Sequence, residues 1–445
     1  MQELQNIFNE LGVKATVVNK TVGCRITTYE YVMQKGVLPP ASMTRILGTI
    51  QVRLGAETIR SIKILQNNTF GIEVPSRITT PVKIGDVIRS DEYKQSDKKF
   101  KFVVGKTPRN EVIIDSIADA RNILIGGCQG SGKSIFENII LLSLLKESPE
   151  DLKMIMIDPK MVELSSYEGI PHLLAPVLTN PQEIENALKW ILDTAKARYD
   201  KIRGLAAYNN VTIRNIDEFN EKIITYGTPE EIREHKMARI VVVIDELTQL
   251  LMTPESVCRM GFKHGGAVIE NIITQIIQFG RAAGVNIIAA TQNPKAEVIN
   301  TLMRDNFSTR VAFKTTTANA SRIILDETGG ELLLGSGDML YKTESNPNTL
   351  RLQGAYVSSN EIDRVVRQIK ESNDPVEYDE SAMWTIGGGD EVKEILERAK
   401  KDGTYNQKFQ IFVDSGHIIT NGSDWRWATF SEVVDKAMAN KAAGR

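Results

Sequence analysis

The run Gly127-Cys128-Gln129-Gly130-Ser131-Gly132-Lys133-Ser134 constrains this chain more than any other eight residues. It fits G-x-x-x-x-G-K-S, and its flanks fit as well. Before it, Asn122-Ile123-Leu124-Ile125 is short and apolar, as a buried strand is. After it, Ile135 to Leu145 reads as a helix, amphipathic at first and then buried. Strand, glycine-rich turn and helix are the parts of a phosphate-binding loop. Glycines let successive backbone N–H groups converge on one anion, and the helix start adds the positive end of its dipole. Lys133 is then expected to reach the β- and γ-phosphates, and the Ser134 hydroxyl to hold Mg²⁺. Gly127, Gln129, Gly130, Ser131, Gly132, Lys133, Ser134 and Ile135 are the expected contacts to ATP. Cys128 occupies a variable position of the loop.

The rest of the chain supplies the layers such a loop needs. From about Glu111 to Gln368, short apolar runs alternate with helical patterns. The strand candidates are 122–125, 154–157, 240–244, 286–290, 310–313 and 338–341. Strands buried on both faces of a parallel sheet read this way, so the expected fold class is α/β. Residues 1–110 mix both patterns: Thr16–Val18, Arg25–Tyr29 and Thr69–Val74 as strands, and Met43–Leu54 as a helix. They predict a small α+β module, with the polar run Ser90–Lys101 as an exposed loop. Residues 111–371 are expected to form the α/β domain that carries the phosphate loop, 372–389 an acidic and then glycine-rich linker, and 390–445 a small C-terminal unit. Within that unit Asp390–Asp402 is helix-like, Phe409–Val413 reads as a strand, and Asp424–Asn440 ends in a helical pattern. Trp425-Arg426-Trp427 is either a docking patch or core.

Two strand tips carry chemistry. Arg239-Ile-Val-Val-Val-Ile244 ends in Asp245-Glu246. A carboxylate there, Asp245, suits the Mg²⁺ shell, and the adjacent Glu246 suits polarising a water. Asn286-Ile-Ile-Ala-Ala-Thr291 ends in Gln292, which would sit beside the γ-phosphate. After another apolar strand comes Asp158-Pro159-Lys160; Asp158 either touches the nucleotide region or caps the next turn.

Bulk properties narrow the partner classes. The net charge of −2 predicts no general affinity for nucleic acid, so any DNA contact must be local, such as a ring of basic residues around a pore. The three cysteines, Cys24, Cys128 and Cys258, have neither metal nor disulfide spacing, which suits a reducing compartment. There is no long apolar window and no signal-peptide pattern at the N-terminus. The expected location is cytoplasmic, with no integral membrane segment.

At this point specific blocks carry a resemblance. Asp158-Pro-Lys-Met-Val-Glu163-Leu, Tyr167-Glu-Gly-Ile-Pro171-His172-Leu, Asp245-Glu246, Gly280-Arg281-Ala-Ala-Gly284, Ala290-Thr-Gln292 and Leu334-Gly-Ser-Gly337-Asp338-Met-Leu340 occur in this order. Together they resemble the RecA-like motor of the FtsK/SpoIIIE DNA translocases. Val17-Val-Asn19, Gly23 and Ile26-Thr-Thr-Tyr29-Glu30 are similar to the start of that family's α subdomain, so the resemblance covers roughly residues 10–375. It implies an ATP-hydrolysing ring, a homo-hexamer, that threads double-stranded DNA and binds nucleotide between subunits. It implies that Arg281 enters the neighbouring subunit's site, with Arg310 as the second candidate. Lys133, Glu246 and Gln292 complete the catalytic set. It also implies that Arg304 and Arg322, on two DNA-facing loops, grip phosphates without reading bases.

The chain departs from the family pattern in places. Asn293 stands where the family usually has arginine, and Lys295 is positioned to replace that contact. Gln249 stands where the family usually has an acid. Cellular members carry membrane spans before the α subdomain and a winged-helix domain after the motor. Neither is recognisable here, so a membrane or mobile-element partner would supply any anchor. The competing reading is a secretion-type ATPase that moves protein, since secretion motors share this core. A nucleotide-driven scaffold without processive movement is the third.

Overall fold

A computed structural model describes residues 1–34, 40–64, 69–208, 212–252, 266–296, 299, 301–346, 348–386, 418–421 and 424–427. They fall into two compact units, Met1–Lys146 with Ile288–Val365, and Glu147–Ile287 with Val366–Arg445.

The first unit opens with a small module. Strands β1 (Ala15–Val22), β2 (Ile26–Met33), β3 (Arg60–Ile64) and β4 (Thr69–Pro75) form an antiparallel sheet in the order β1-β2-β4-β3. Helix Gln2–Glu10 places Leu4, Ile7 and Phe8 on one face by their three- and four-residue spacing. That face packs with Tyr31, Ile50 and Ile72 into the module's core, with the Phe8 ring edge-on to Tyr31 at 5.3 Å.

The chain continues through β5 (Lys101–Lys106), β6 (Val112–Ser116) and β7 (Ile123–Gly126). It supplies β8 (Leu152–Ile157) and β9 (Arg239–Ile244) to the second unit. It then returns by β10 (Val285–Thr291) to β11 (Thr309–Phe313), β12 (Asp338–Thr343) and β13 (Leu350–Gly354) of the first. In the first unit the strands run in the order β6-β5-β13-β12-β11-β7-β10. β11, β7 and β10 pair parallel, as expected, while β12, β13, β5 and β6 pair antiparallel. The parallel sheet is therefore a mixed one. The link from β12 to β13 is short, and a short link can only return a strand antiparallel. In the second unit β8 and β9 pair parallel, from Leu152 opposite Arg239 to Ile157 opposite Ile244.

Three boundaries differ from the sequence reading. The first sheet closes at Pro75, and β5 and β6 join the sheet that carries β7, so the module ends earlier than residue 110. The run Ser90–Lys101 is not all loop. Ser90 caps a helix, Asp91–Gln95, by accepting from Tyr93 N at 3.3 Å. Tyr93 is buried beneath the ammonium groups of Lys101 and Lys146, so one aromatic ring outweighs its charged neighbours. The segment expected as a linker contains helix Glu380–Ile386 and is docked on the second unit. Ala382 and Met383 are buried, Trp190 Nε1 donates to Ser381 Oγ at 3.1 Å, and Asp379 N donates to Leu174 O at 3.0 Å.

Further on, β14 (Ile418–Asn421) and β15 (Asp424–Trp427) form an antiparallel pair, so the segment from Asp424 begins as strand. The readings at 387–417 and beyond 427, and Cys258, lie outside the described residues. No described helix is long and apolar enough to cross a membrane.

Candidate functional site

The phosphate loop forms where β7 ends. β7 is buried throughout, and the chain turns at Gly127 to Gly132 into helix Lys133–Leu144. Backbone bonds fix the entry to the turn. Gly127 N donates to Thr291 O at 3.2 Å and Cys128 N to Lys314 O at 2.8 Å. The first of these brings the tip of β10, and hence Gln292, beside the start of the loop. Gly130 and Gly132 lie at φ +73° and +111°, where only glycine sits without strain. Ile135 is half-buried on the first turn of the helix, and Asn138 Nδ2 donates to Ser134 O at 2.8 Å.

The loop fits an anion. Gln129 and Gly130 are exposed, and a Cβ on Gly130 would meet nothing within 4 Å, so the apex is open. The Ser131 hydroxyl oxygen is buried and makes no hydrogen bond among the described residues. A phosphate oxygen would satisfy it. Lys133 is buried, with Nζ 4.0 Å from Glu137 Oε2 one turn along the helix.

In the second unit the β8–β9 register sets two acidic tips side by side. Asp158 follows Ile157, and Asp245 N donates to Ile157 O at 3.1 Å. Asp245 and Glu246 are 0% and 5% exposed, so their carboxylates are not ordinary surface charges. Asp158 has one clear job. Its Oδ1 accepts from Lys160 N, and its Oδ2 accepts from the N–H groups of Val162, Glu163 and Leu164. Of the two roles left open for it, the structure shows the turn cap. The capped turn carries Lys160, whose Nζ lies 3.3 Å from Glu246 Oε2. Sequence reasoning placed Lys160 in a family block and gave it no role. Its position three residues past the end of the apolar strand β8 was the available signal.

The arginines sort by burial. Arg281, near the end of helix Gly266–Ala283, is exposed. Arg310 instead pairs with Asp326 and lies 3.6 Å from Asp305, with its side chain only 13% exposed. Arg304 also pairs with Asp326, at 2.9 Å, with its side chain 16% exposed. Arg322 and Lys295 are exposed.

Residues 83–296 match the FtsK/SpoIIIE family, and residues 1–76 match the FtsK alpha domain. The chain belongs to the FtsK/SpoIIIE family. It is 36% identical over 407 residues to the DNA translocase FtsK of Clostridium tetani, covering 90% of this chain and 52% of that protein. Against the DNA translocase FtsK of Mycobacterium tuberculosis it is 34% identical over 424 residues, covering 93% of this chain and 48% of that one. The chain thus spans about half the length of these FtsK relatives. Among solved structures it is similar to the pCW3 conjugation coupling protein TcpA in its monomer form with ATPgS. The TM-score is 0.56 at 22% identity, covering 82% of this chain and 98% of that one. That likeness concerns the fold alone. The α/β P-loop ATPase fold with a preceding α+β module, expected from the sequence, is the fold found.

Proposed function

We propose that this chain is the motor of a DNA translocase: it hydrolyses Mg-ATP and moves double-stranded DNA through a homo-hexameric ring in the cytoplasm. The observation that supports this most is the pairing of an FtsK alpha domain with a motor whose phosphate loop is complete and open at its apex. In this reading the N–H groups of residues 129–135 and the buried Lys133 hold the phosphates. Ser134 and Asp245 would hold Mg²⁺, which neutralises phosphate charge when bound. Glu246 orients and polarises the attacking water, with its carboxylate positioned by Lys160. Gln292, at the tip of β10, reports the state of the phosphate loop to the segment that follows. The exposed Arg281 serves a neighbouring subunit, stabilising charge in trans. Of the three candidate DNA contacts, Arg322 and Lys295 are exposed and available to a DNA backbone. Arg304 would first have to leave Asp326.

Steady-state ATP hydrolysis, with and without long duplex DNA, tests the reading. Stimulation that grows with duplex length is expected, and Lys133→Ala should abolish turnover. Turnover unaffected by DNA would return the reading to protein transport or scaffolding, and full turnover in Lys133→Ala would remove the site.

A further inference from the structure

The turn Gly335-Ser336-Gly337 has three consecutive residues at positive φ, +81°, +49° and +91°. It also touches the phosphate loop. Gly337 N donates to Ser131 O at 2.8 Å. A Cβ on Gly132 would lie 2.6 Å from Gly337 N and 2.9 Å from its Cα, so the two backbones pack with no space between them. Ser336 pays for its left-handed conformation and keeps it only where its surroundings over-determine it.

Those surroundings come in part from the first module. Arg25 donates from Nη1 to Gly335 O at 2.7 Å and to Ser336 O at 2.9 Å. Gln353 Nε2 donates to Ser336 O at 3.0 Å. Immediately after the turn, Asp338 accepts from Arg351 Nε at 3.0 Å and Nη2 at 2.7 Å. The remaining Arg351 nitrogen, Nη1, donates to Glu73 Oε2 at 2.8 Å, and Glu73 lies on β4 of the module. Asp338, Arg351 and Glu73 are all buried. Such a triad is stiff, because moving one member strands another's charge away from water. The first module therefore grips the turn at two places, and the turn rests on the residues that would hold phosphate.

We propose that Arg25 is a positioning residue for nucleotide binding. Acting through the Gly335–Gly337 turn, it holds Ser131 and Gly132 in their phosphate-accepting geometry and so couples the first module to the nucleotide site. The proposal rests on the reading of residues 127–134 as that site. The coupling is reciprocal: nucleotide at the loop stabilises the module's grip on the turn by the same factor.

The test compares wild type, Arg25→Ala, Arg25→Lys and Lys133→Ala as full chains. Affinity is measured with a fluorescent ATP analogue, alongside KM, kcat and thermal unfolding. Arg77→Ala, which removes an exposed ion pair of the same module, serves as control. Arg25→Ala should weaken binding and raise KM by about tenfold, within the usual range for coupled sites. Its kcat should change by less than about twofold, and Arg25→Lys should recover part of the loss by donating to one carbonyl. Wild-type affinity in Arg25→Ala refutes the coupling. So does a loss of affinity accounted for by unfolding beyond that of Arg77→Ala, or one that falls on kcat instead of KM. If wild type and Lys133→Ala bind the analogue alike, the nucleotide site itself is wrong, and the coupling falls with it.

Discussion

Substituting Asp158 separates a turn cap from a nucleotide contact. The side chain is fully buried, and its two oxygens accept from four backbone N–H groups at 2.9 to 3.1 Å. A hydrogen bond to a charged acceptor contributes about 1.5–3 kcal/mol net, so a plain sum over four bonds would reach at least about 6 kcal/mol. That sum is too large. Lys160 and Val162 are exposed and Glu163 is half-exposed, so water can replace the carboxylate at three of the four donors. Only Leu164 N is buried with its acceptor. We expect Asp158→Ala to cost about 3–4 kcal/mol: one stranded N–H at about 1–3 kcal/mol plus partial losses at the others. Asp158→Asn keeps one oxygen for the three donors served by Oδ2 and turns an NH₂ toward Lys160 N, so about 1.5–2 kcal/mol should be lost. Urea unfolding measures both, with nucleotide titration in parallel. Affinity should stay within about threefold of wild type. Turnover should fall further, because the loosened turn no longer carries Lys160 to Glu246. If Asp158→Asn unfolds like wild type but loses nucleotide binding by about tenfold or more, Asp158 is a ligand contact and the capping argument is wrong.

Arg281→Ala should leave unfolding and nucleotide affinity unchanged and lower turnover by about a thousandfold, the lower end for an arginine acting in trans; normal turnover would remove it from the catalytic set. Arg322→Ala and Lys295→Ala should each flatten the salt dependence of duplex binding by roughly one unit of log–log slope. Arg304→Ala should instead lower the unfolding temperature, because it deprives Asp326 of a partner; a changed salt slope with unchanged stability would reverse that assignment. Burial pushes the His172 imidazole below its ordinary value, outweighing its contact with Glu147 O. The folded state then stays neutral while the unfolded state takes up a proton. Stability should therefore be full above about pH 6.5 and fall as pH drops below it. His172→Gln should flatten urea-unfolding stability across that range, and an unchanged acid slope would assign it elsewhere.

What could be read from the sequence follows from what is encoded locally. β7, β8, β9 and β10 are dominated by Ile, Leu, Val, Met and Ala, which suit burial on both faces, and each lies near its expected place. The phosphate loop was legible for the same reason, since its glycines answer to backbone geometry within the motif. β13 was not legible. Leu350-Arg351-Leu352-Gln353-Gly354 alternates like a half-exposed strand, yet Arg351 is buried. Its charge is matched by Asp338 and by Glu73, which lies 278 positions away, and no local pattern carries that information. The helix Asp91–Gln95 escaped notice because a window of polar residues hides one buried tyrosine.

The charged residues make the same point about function. A net charge of −2 says nothing about which cations are available to a ligand. Arg351, Arg310 and Arg304 are drawn into carboxylates of the first unit, and Arg239 is held by both oxygens of Asp217 in the second. All four are committed to internal pairs: Arg351 to Asp338 and Glu73, Arg239 to Asp217, and Arg304 and Arg310 to Asp326, which they share. Arg281, Arg322 and Lys295 are exposed. On the proposed function, a motor that must hold any DNA sequence needs cations that reach phosphates without first breaking an internal pair. Exposure thus favours Arg322 and Lys295 over Arg304, although a motif-based reading treats Arg304 and Arg322 alike. The salt slope of duplex binding is the quantity that separates them.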